Sequence, residues 1–340
     1  MKKRILPLLL AVALLLSGCA PKKQLKNYKA SFLSLFDTVT VMTGYAESEE
    51  AFTAIAQSLH DDLENYHQLF DIYNEYDGVN NLKTINDNAG GPAVKVDKRI
   101  IDLLLFCRDI YDATDGQVDV AMGSVLSLWH DAREVGIDDP EHAALPDDGA
   151  LKEAAKHMDF DNVIIDEEKS TVQLLDPSMS LDVGAVAKGY AVEQACKNAP
   201  EGLLVSVGGN VRPTGPKPDG SPWTVGIQNP DGGDGYLRTV QVSDMSVVSS
   251  GDYQRYYVVD GVAYHHIIDP QTLYPEHKWR TVTILVPDSG IADGLSTALF
   301  CMSREEGQKL LDKYGAEALW MTLDGEVLYS PGFEQYVKTE

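Results

Sequence analysis

Residues 181–195 have the sequence LDVGAVAKGYAVEQA, which predicts a short strand, a tight turn and a helix in succession. The apolar segment would deliver Asp182, Gly184 would allow the turn, and the helix would begin at about Ala185. A helix N-terminus attracts phosphate or carboxylate groups, because it presents free N–H groups and a partial positive charge. Lys188 would lie in the first turn, where a cation is unfavourable unless an anionic ligand compensates it. An ordinary aspartate at a strand end and a surface lysine explain the same pattern equally well.

The periodicity of apolar residues changes from helical to strand-like along the chain. Helices are predicted at residues 49–70, 98–114, 148–157, 184–198 and 291–314. Strands are predicted at residues 32–45, in short segments of 163–182 and through 202–286, with a closing hairpin at 318–329. Residues 71–91 and 131–149 lack a period and are predicted to be loops. Helices that cluster early and strands that cluster late favour an α+β fold, with mixed or antiparallel sheets and flanking helices, over a βαβ repeat.

A second motif, IADGLSTALF at residues 291–300, carries a possible metal site. Asp293 and Thr297 are four positions apart, so on a helix they share one face. A carboxylate and a hydroxyl are hard oxygen ligands that suit Mg²⁺. An aspartate in the first turn also suits the helix dipole, so a capping Asp293 with a back-bonding Thr297 is the alternative, and the spacing alone favours that alternative.

A third motif, YHHIIDP at residues 264–270, predicts a strand that ends in a turn. Adjacent side chains of a strand point to opposite faces, so one of His265 and His266 can face a cleft while the other is packed or solvated. A histidine with a pKa near neutrality can act as a general base for a hydroxyl nucleophile. A histidine at a strand end is nevertheless more often structural.

Weaker signals lie in short turns and in one tyrosine-rich segment. Residues 207–210 and 249–253 contain glycine or hydroxyl groups that would let a ligand approach the backbone, and residues 116–121 place Asp119 after a helix. Tyr73 and Tyr76 could stack on a flat ring. Simple turns and local tyrosine packing explain each of these features on its own.

The N-terminus has the pattern of a lipoprotein leader. Basic residues at 2–4 precede an apolar run that is too short to span a bilayer, so residues 1–18 are predicted to be a signal peptide. The run ends in Leu-Ser-Gly-Cys, the pattern of a bacterial lipobox, which predicts lipidation of Cys19 and an extracytoplasmic, membrane-anchored protein. Residues 19–30 would form the lipidated cysteine and a polar tether, and residues 31–340 a single domain.

Charge and cysteine content narrow the function classes. Asp and Glu total 52 against 28 Lys and Arg, a net charge of −24, which disfavours binding to nucleic acid. Three further cysteines, at positions 107, 196 and 301, sit in apolar surroundings without metal-ligand spacing, so buried free thiols are expected. The chain contains neither a Gly-x-Gly-x-x-Gly motif nor a P-loop, so any dinucleotide must be bound in another way.

Taken together and in this order, the motifs closely resemble the ApbE family, the FAD:protein FMN transferases. The resemblance extends from about Phe36 to Leu311. It is carried by FDT at 36–38, NLKTIN at 81–86, QVD at 117–119, LDVGAVAKGYA at 181–191, VSVGGNV at 205–211, SSGDYQRYY at 249–257, HIIDP at 266–270 and IADGLST at 291–297. No single segment would identify the family, but the ordered set is highly specific.

The resemblance implies a T-fold-like, two-lobed body with an FAD cleft between the lobes, and it assigns site residues. His266 would be the catalytic base. The carbonyl of Ala185 and the side chains of Asp293 and Thr297 would bind Mg²⁺. Contacts to FAD would come from Phe36, Tyr73, Tyr76, Gln117, Val118, Asp119, Asp182, Lys188 and Ile268.

The implied reaction is cleavage of FAD and transfer of FMN to a threonine or serine of an acceptor protein, with release of AMP. Family acceptors are FMN-binding domains of extracytoplasmic electron-transfer proteins, which fits the predicted location. Two alternatives stay open: a pyrophosphatase that hydrolyses FAD to FMN and AMP, and a flavin-binding lipoprotein without enzymatic activity.

Overall fold

The computed structural model describes residues 24–233 and 235–339. The predicted signal peptide and Cys19 lie outside these residues. The helices are α1 Glu49–Phe70, α2 Leu82–Asp87, α3 Lys98–Ala113, α4 Gly123–Asp138, α5 Asp148–Ala154, α6 Ala187–Lys197, α7 Ser289–Cys301 and α8 Arg304–Tyr314. The strands are β1 Lys26–Leu35, β2 Thr38–Ala46, β3 Val94–Lys95, β4 Val163–Asp166, β5 Thr171–Leu174, β6 Leu203–Val207, β7 Asn210–Pro213, β8 Trp223–Gln228, β9 Tyr236–Val242, β10 Ser246–Gly251, β11 Tyr256–Val259, β12 Val262–His265, β13 Trp279–Val286, β14 Glu317–Thr322 and β15 Val327–Tyr329.

The largest sheet has eight strands in the order β1-β2-β6-β7-β10-β13-β14-β15. Each neighbouring pair in it is antiparallel. Helices α1, α6 and α7 cover one face, and the β8–β9 hairpin packs on the other through a small apolar cluster. Strand β13 is therefore buried almost along its whole length, which fits its sequence of apolar and β-branched residues interrupted by one charge, Arg280. The prediction of an α+β fold with antiparallel sheets and flanking helices is confirmed.

A small lobe packs against this main body. It consists of α4, α5 and the β11–β12 hairpin, and its core includes Trp129, Tyr257 and Ile268. The Trp129 indole N–H donates to the carbonyl of Leu273 at 2.9 Å, which ties the helix to the turn after β12. A fully buried aromatic or aliphatic side chain of this size contributes about 1.5–3 kcal/mol to folding. The lobe therefore holds the segment after β12 in a fixed position.

Several predicted boundaries are wrong for identifiable reasons. Strand β1 begins at Lys26, so residues 26–30 of the predicted tether are strand; Tyr28 packs on Phe52 with ring centroids 5.7 Å apart. The predicted loop 131–149 is helical as far as Asp138, because α4 buries one face under the hairpin. The predicted loop 71–91 contains α2, which Asn81 caps.

The long helix predicted at residues 291–314 is two helices. The first ends at Cys301, and Ser303 starts α8 with a capping box, in which its hydroxyl accepts the N–H of Glu306 at 3.3 Å. The predicted strand before Asp182 is also absent from the described structure at this point. Instead, the side chain of Asn86 forms the two hydrogen bonds that a neighbouring strand would form. Its Nδ2 donates to the carbonyl of Leu181 at 2.9 Å, and its Oδ1 accepts the N–H of Leu181 at 2.8 Å.

Two further features of the described chain bear on the sequence predictions. Cys107, Cys196 and Cys301 are buried free thiols, as expected. Burial raises the pKa of each thiol, so these thiols are protonated at neutral pH and unreactive. Among the residues that the structure describes, no helix is long and apolar enough to cross a bilayer.

Candidate active site

A cavity of about 490 Å³ opens between the main body and the small lobe. It is lined by segments from both, including the start of α6, the second and third turns of α7 and the residues after β12. The predicted site residues that line it are Phe36, Tyr73, Gln117, Val118, Asp119, Asp182, Ala185, Lys188, His266, Ile268, Asp293 and Thr297. Motifs as far apart in the sequence as Phe36 and Thr297, 261 positions, thus meet in one place.

The N-terminal parts of α6 and α7 touch each other at the floor of this cavity. The backbone N–H of Gly189 donates to the Asp293 carboxylate Oδ2 at 2.8 Å. A Cβ atom at Gly189 would lie 2.5 Å from the Cβ of Asp293 and closer still to the carbonyl oxygen of Ser289. Only glycine allows the two helices to approach this closely. The predicted convergence of the two motifs is therefore a feature of the fold.

The same contact leaves a carbonyl oxygen free. In a regular helix Gly189 N–H would donate to the carbonyl of Ala185, four residues earlier, but it donates to Asp293 instead. The first helical bond of α6 runs from Tyr190 to Val186 at 3.0 Å, so the helix begins at Ala187 and not near Ala185 as predicted. Ala185 lines the cavity, and its carbonyl has no helical donor, so this oxygen could serve as a ligand.

Asp293 is not a helix cap. Helix α7 begins at Ser289, and Asp288 caps it by accepting the N–H groups of Gly290 and Ile291 at 2.8 and 3.0 Å. Asp293 therefore lies in the second turn, one turn before Thr297 and on the same face. Burial raises the pKa of Asp293, while the positive charge of Lys188, the Gly189 N–H and Asn210 oppose that rise. An ion at this carboxylate would favour its charged form further.

The residues present fit a divalent cation. The Ala185 carbonyl, the Asp293 carboxylate and the Thr297 hydroxyl are all oxygen donors, the type that Mg²⁺ prefers, and all three residues line the cavity. Three protein oxygens leave positions for waters and for substrate phosphate.

The two adjacent histidines have different environments, as predicted, although only His265 belongs to strand β12 and His266 directly follows it. His265 is 3% exposed; its Nε2 donates to the carbonyl of Glu276 at 2.6 Å, and its Nδ1 accepts the N–H of Ile267 at 3.2 Å. His266 lines the cavity, and its buried Nδ1 has no partner among the described residues. Burial, together with the nearby positive charges of Arg255 and Lys188, lowers the pKa of His266 to about 3. His266 is thus neutral and able to accept a proton.

Protonation of His265 should destabilise the protein in acid. Burial lowers the pKa of His265 to about 4, against an ordinary value of 6.5, so the unfolded chain takes up this proton first and stability falls as pH drops through this interval. We expect the free energy of unfolding to fall by about 1.4 kcal/mol at pH 5.5 on account of His265 alone. Urea denaturation of the wild type and of His265→Asn at pH 7.5 and 5.5 measures it. A loss of the same size in both proteins would exclude His265 as the cause.

Two further carboxylates that line the cavity, Asp119 and Asp182, are partly buried. Burial raises the pKa of Asp119 to about 6, although its Oδ1 accepts the Ala121 N–H at 2.8 Å. Burial likewise raises the pKa of Asp182, whose Oδ1 accepts the Gly184 N–H at 2.8 Å. Each carboxylate keeps a second oxygen that can accept from a hydroxyl or ring N–H of a ligand.

The aromatic candidates differ in position. Tyr73 is 53% exposed, lines the cavity and stacks on His130, with ring centroids 5.1 Å apart. Phe36 also lines the cavity and meets His67 edge-on. Tyr76 does not line the cavity: its hydroxyl donates to Asp71 at 2.7 Å and helps to order the loop that carries Tyr73. The geometry therefore favours Tyr73 over Tyr76 as the ring that a ligand would meet.

Several cavity residues were not singled out from the sequence. Gly189, Asn210, Arg255 and His130 contribute to the site or its support. Asn210 is 2% exposed, and its Oδ1 has no partner among the described residues, as is also true of Gln117 Oε1. The VGGN and SSGDYQR segments contain Asn210 and Arg255, but nothing in the spacing reveals that their side chains reach the cavity.

A family model and sequence relatives match nearly the whole chain. The model of the ApbE family matches residues 36–320. A protein of Treponema pallidum named FAD:protein FMN transferase is 36% identical over 277 residues, which cover 76% of this chain and 75% of that protein. One of the same name from Haemophilus influenzae is 28% identical over 322 residues, covering 92% and 91% of the two chains.

Solved structures agree with the sequence matches. The crystal structure of an ApbE protein from Thermotoga maritima is similar with a TM-score of 0.81 at 31% identity, covering 92% of this chain and all of that one. The flavin transferase ApbE of Vibrio cholerae shares the fold, with a TM-score of 0.73 at 22% identity. With this fold, this ordered set of motifs and this extent of identity, the chain belongs to the ApbE family.

Proposed function

We propose that this protein is an FAD:protein FMN transferase that uses Mg²⁺ to cleave FAD and attaches FMN to a threonine or serine of another protein. Relatives that match it over most of its length carry this name. The observation that carries the proposal is the contact between Gly189 and Asp293, which brings the start of α6 and the second turn of α7 together beside His266 in one cavity. The positively polarised start of α6 and oxygen ligands at both helices, together in one place, suit a pyrophosphate and its metal ion.

The metal ion would be held by the Ala185 carbonyl, Asp293 and Thr297. When bound, Mg²⁺ supplies a Lewis acid that neutralises phosphate charge. The chain's own contribution is positional: Gly189 fixes the orientation of Asp293, and Lys188, whose ammonium group donates to the Gly184 carbonyl at 3.2 Å, places a positive charge at the start of α6. This arrangement binds and orients the phosphates without moving during the reaction.

His266 would accept the proton of the attacking hydroxyl. It is neutral in the free protein, and the phosphates of bound FAD would raise its pKa towards neutrality, because a nearby negative charge favours the protonated form. The acceptor oxygen forms a bond to the phosphorus of the FMN half. The bond from that phosphorus to the bridging oxygen breaks, and its electron pair leaves with AMP.

We also propose where the enzyme acts and which kind of protein accepts the FMN. An acceptor domain from an extracytoplasmic electron-transfer protein would meet this enzyme outside the membrane if Cys19 is lipidated. The predicted leader at residues 1–18 supports that location. The charge of −24 gives no support to a nucleic-acid partner.

Replacement of His266 by alanine is expected to remove flavin transfer and to leave binding of FAD and Mg²⁺ in place. A general base contributes about 10²–10⁴-fold to rate, so transfer should fall by that factor. Covalent flavin on the acceptor is measured by in-gel fluorescence, and FAD binding by quenching of flavin fluorescence. His265→Asn is the neighbouring control and should keep its activity at pH 7.5. Flavinylation at the wild-type rate by the His266 variant would place the base elsewhere.

Water can take the place of the acceptor hydroxyl in the same geometry, which would make the protein an FAD pyrophosphatase. Incubation of the wild type with FAD, Mg²⁺ and an FMN-binding acceptor domain separates the two activities. Covalent flavin on the acceptor supports transfer. Accumulation of FMN and AMP beside an unlabelled acceptor would favour hydrolysis, and unchanged FAD would favour a binding protein without enzymatic activity.

A further inference from the structure

Arg255 differs from every other arginine in the described part of the chain. It lines the cavity, and it has neither an ion pair nor a hydrogen bond among the described residues. The others each bind a carboxylate, a carbonyl or a hydroxyl; they are Arg99, Arg108, Arg133, Arg212, Arg238, Arg280 and Arg304. In a protein with a net charge of −24, an arginine left unpaired at a cavity wall is available for an anion from outside.

The position of Arg255 is set by the hairpin of the small lobe. Tyr256 of β11 pairs with His265 of β12 at the end of the hairpin. Arg255 directly precedes this pair and His266 directly follows it, so both residues leave the same end of the hairpin. Both residues line the cavity. The preceding loop is anchored, because Asp252 accepts from the Arg280 side chain at 2.9 Å and donates its N–H to the Arg280 carbonyl at 3.1 Å. Arg255 thus projects from a fixed base beside the proposed catalytic histidine.

The effect of the Arg255 charge on the pKa values of other cavity residues agrees with this placement. Its positive charge helps to lower the pKa of His266 and counteracts the burial that raises the pKa of Asp182 and of Tyr73. These three groups lie on different elements around the cavity. A charge that acts on all three groups lies close to the cavity that they line, where the substrate would lie.

We infer that Arg255 binds the pyrophosphate of FAD and is a catalytic residue that neutralises the charge developing on the departing AMP. The inference rests on the proposed function. In the reaction above, the electron pair of the broken bond goes to the bridging oxygen, so negative charge grows on the AMP phosphate. The planar guanidinium donates two parallel N–H groups to phosphate oxygens and never loses its proton at physiological pH. Lys188 at the start of α6 and Arg255 at the base of the hairpin would then hold the pyrophosphate from two sides.

Arg255→Gln tests this role, first by binding. The variant loses the charge-assisted hydrogen bonds to phosphate, so we expect it to bind FAD and AMP about tenfold to a hundredfold more weakly than the wild type does. Riboflavin, which has no phosphate, should bind with unchanged affinity. Flavin fluorescence quenching measures FAD and riboflavin, and displacement of FAD measures AMP. Arg304→Gln, which removes the same charge far from the cavity, should bind all three as the wild type does.

The second readout is turnover. We expect FAD cleavage by Arg255→Gln to slow by about 10²–10³-fold, with water or with the acceptor, because one transition-state donor is lost. Arg255→Lys should restore part of the rate. Equal weakening of riboflavin and FAD binding, or a wild-type rate of cleavage, would refute the inference. A loss confined to the acceptor reaction would assign Arg255 to the acceptor instead, and would also overturn it.

These experiments distinguish failure of the Arg255 inference from failure of the proposed transferase function. The binding measurements require no turnover, so they test Arg255 even if the wild type transfers no flavin. A wild type that labels its acceptor, next to an Arg255→Gln variant that does so equally well, refutes only the role of Arg255.

Discussion

Replacement of Asp293 by alanine should abolish FAD cleavage and transfer while part of the affinity for FAD remains. The change removes the buried carboxylate that accepts the Gly189 N–H, and with it the charged oxygen among the proposed metal ligands. Several kcal/mol of charge neutralisation in the transition state would be lost, so we expect turnover to fall by about 10³-fold or more. FMN and AMP release, followed by chromatography, measures the turnover.

Asp288→Ala is the matched control on the same helix. Asp288 caps α7 through Gly290 and Ile291, so its loss should lower the free energy of unfolding by about 1 kcal/mol and leave turnover unchanged. A second measurement separates metal binding from folding: Mg²⁺ should raise the melting temperature of the wild type and of Asp288→Ala, but not that of Asp293→Ala. Undiminished FAD cleavage by Asp293→Ala would refute the metal assignment.

Gly189→Ala should be nearly as damaging, although it adds one methyl group. The new Cβ would overlap the carbonyl oxygen of Ser289 and the side chain of Asp293, so α6 and α7 must move apart. Overpacking of this kind costs about 1–3 kcal/mol or more, and the movement would break the bond that orients Asp293. We expect a lower melting temperature together with loss of FAD cleavage, measured by calorimetry and by AMP release.

Gly235→Ala provides the comparison for Gly189→Ala. No other heavy atom lies within 4 Å of the position that its Cβ would take, so this change should alter neither stability nor turnover. If Gly189→Ala were as stable and as active as Gly235→Ala, the close approach of the two helices would not be required for the site.

Secondary structure was predictable where the sequence has one strong period. Helix α1 has the predicted limits, Glu49 and Phe70, because its apolar stripe is regular and Ser48 caps it. Prediction failed where long-range partners decide the structure. The start of α6 moved to Ala187 because a carboxylate 104 residues away takes the N–H of Gly189. The capping box at Ser303 was visible in the sequence and should have divided the predicted long helix.

The site was predictable chiefly through the resemblance of its ordered motifs to a family. Spacing placed Asp293 and Thr297 on one helical face, but it favoured a capping role that Asp288 performs instead. It also left open which histidine faces the cavity, since only the packing of His265 against Glu276 settles this. The role of Arg255 could not be predicted from the sequence. It rests on the absence of an ion-pair partner for this side chain among the described residues, and only the folded chain shows that.

The most direct measurement is mass spectrometry of an FMN-binding acceptor domain co-expressed with this protein. The account predicts a new acceptor species that carries FMN through a phosphoester on one threonine or serine, and its absence with the His266→Ala enzyme. An acceptor that stays unmodified while the wild-type enzyme converts FAD to FMN and AMP would contradict it.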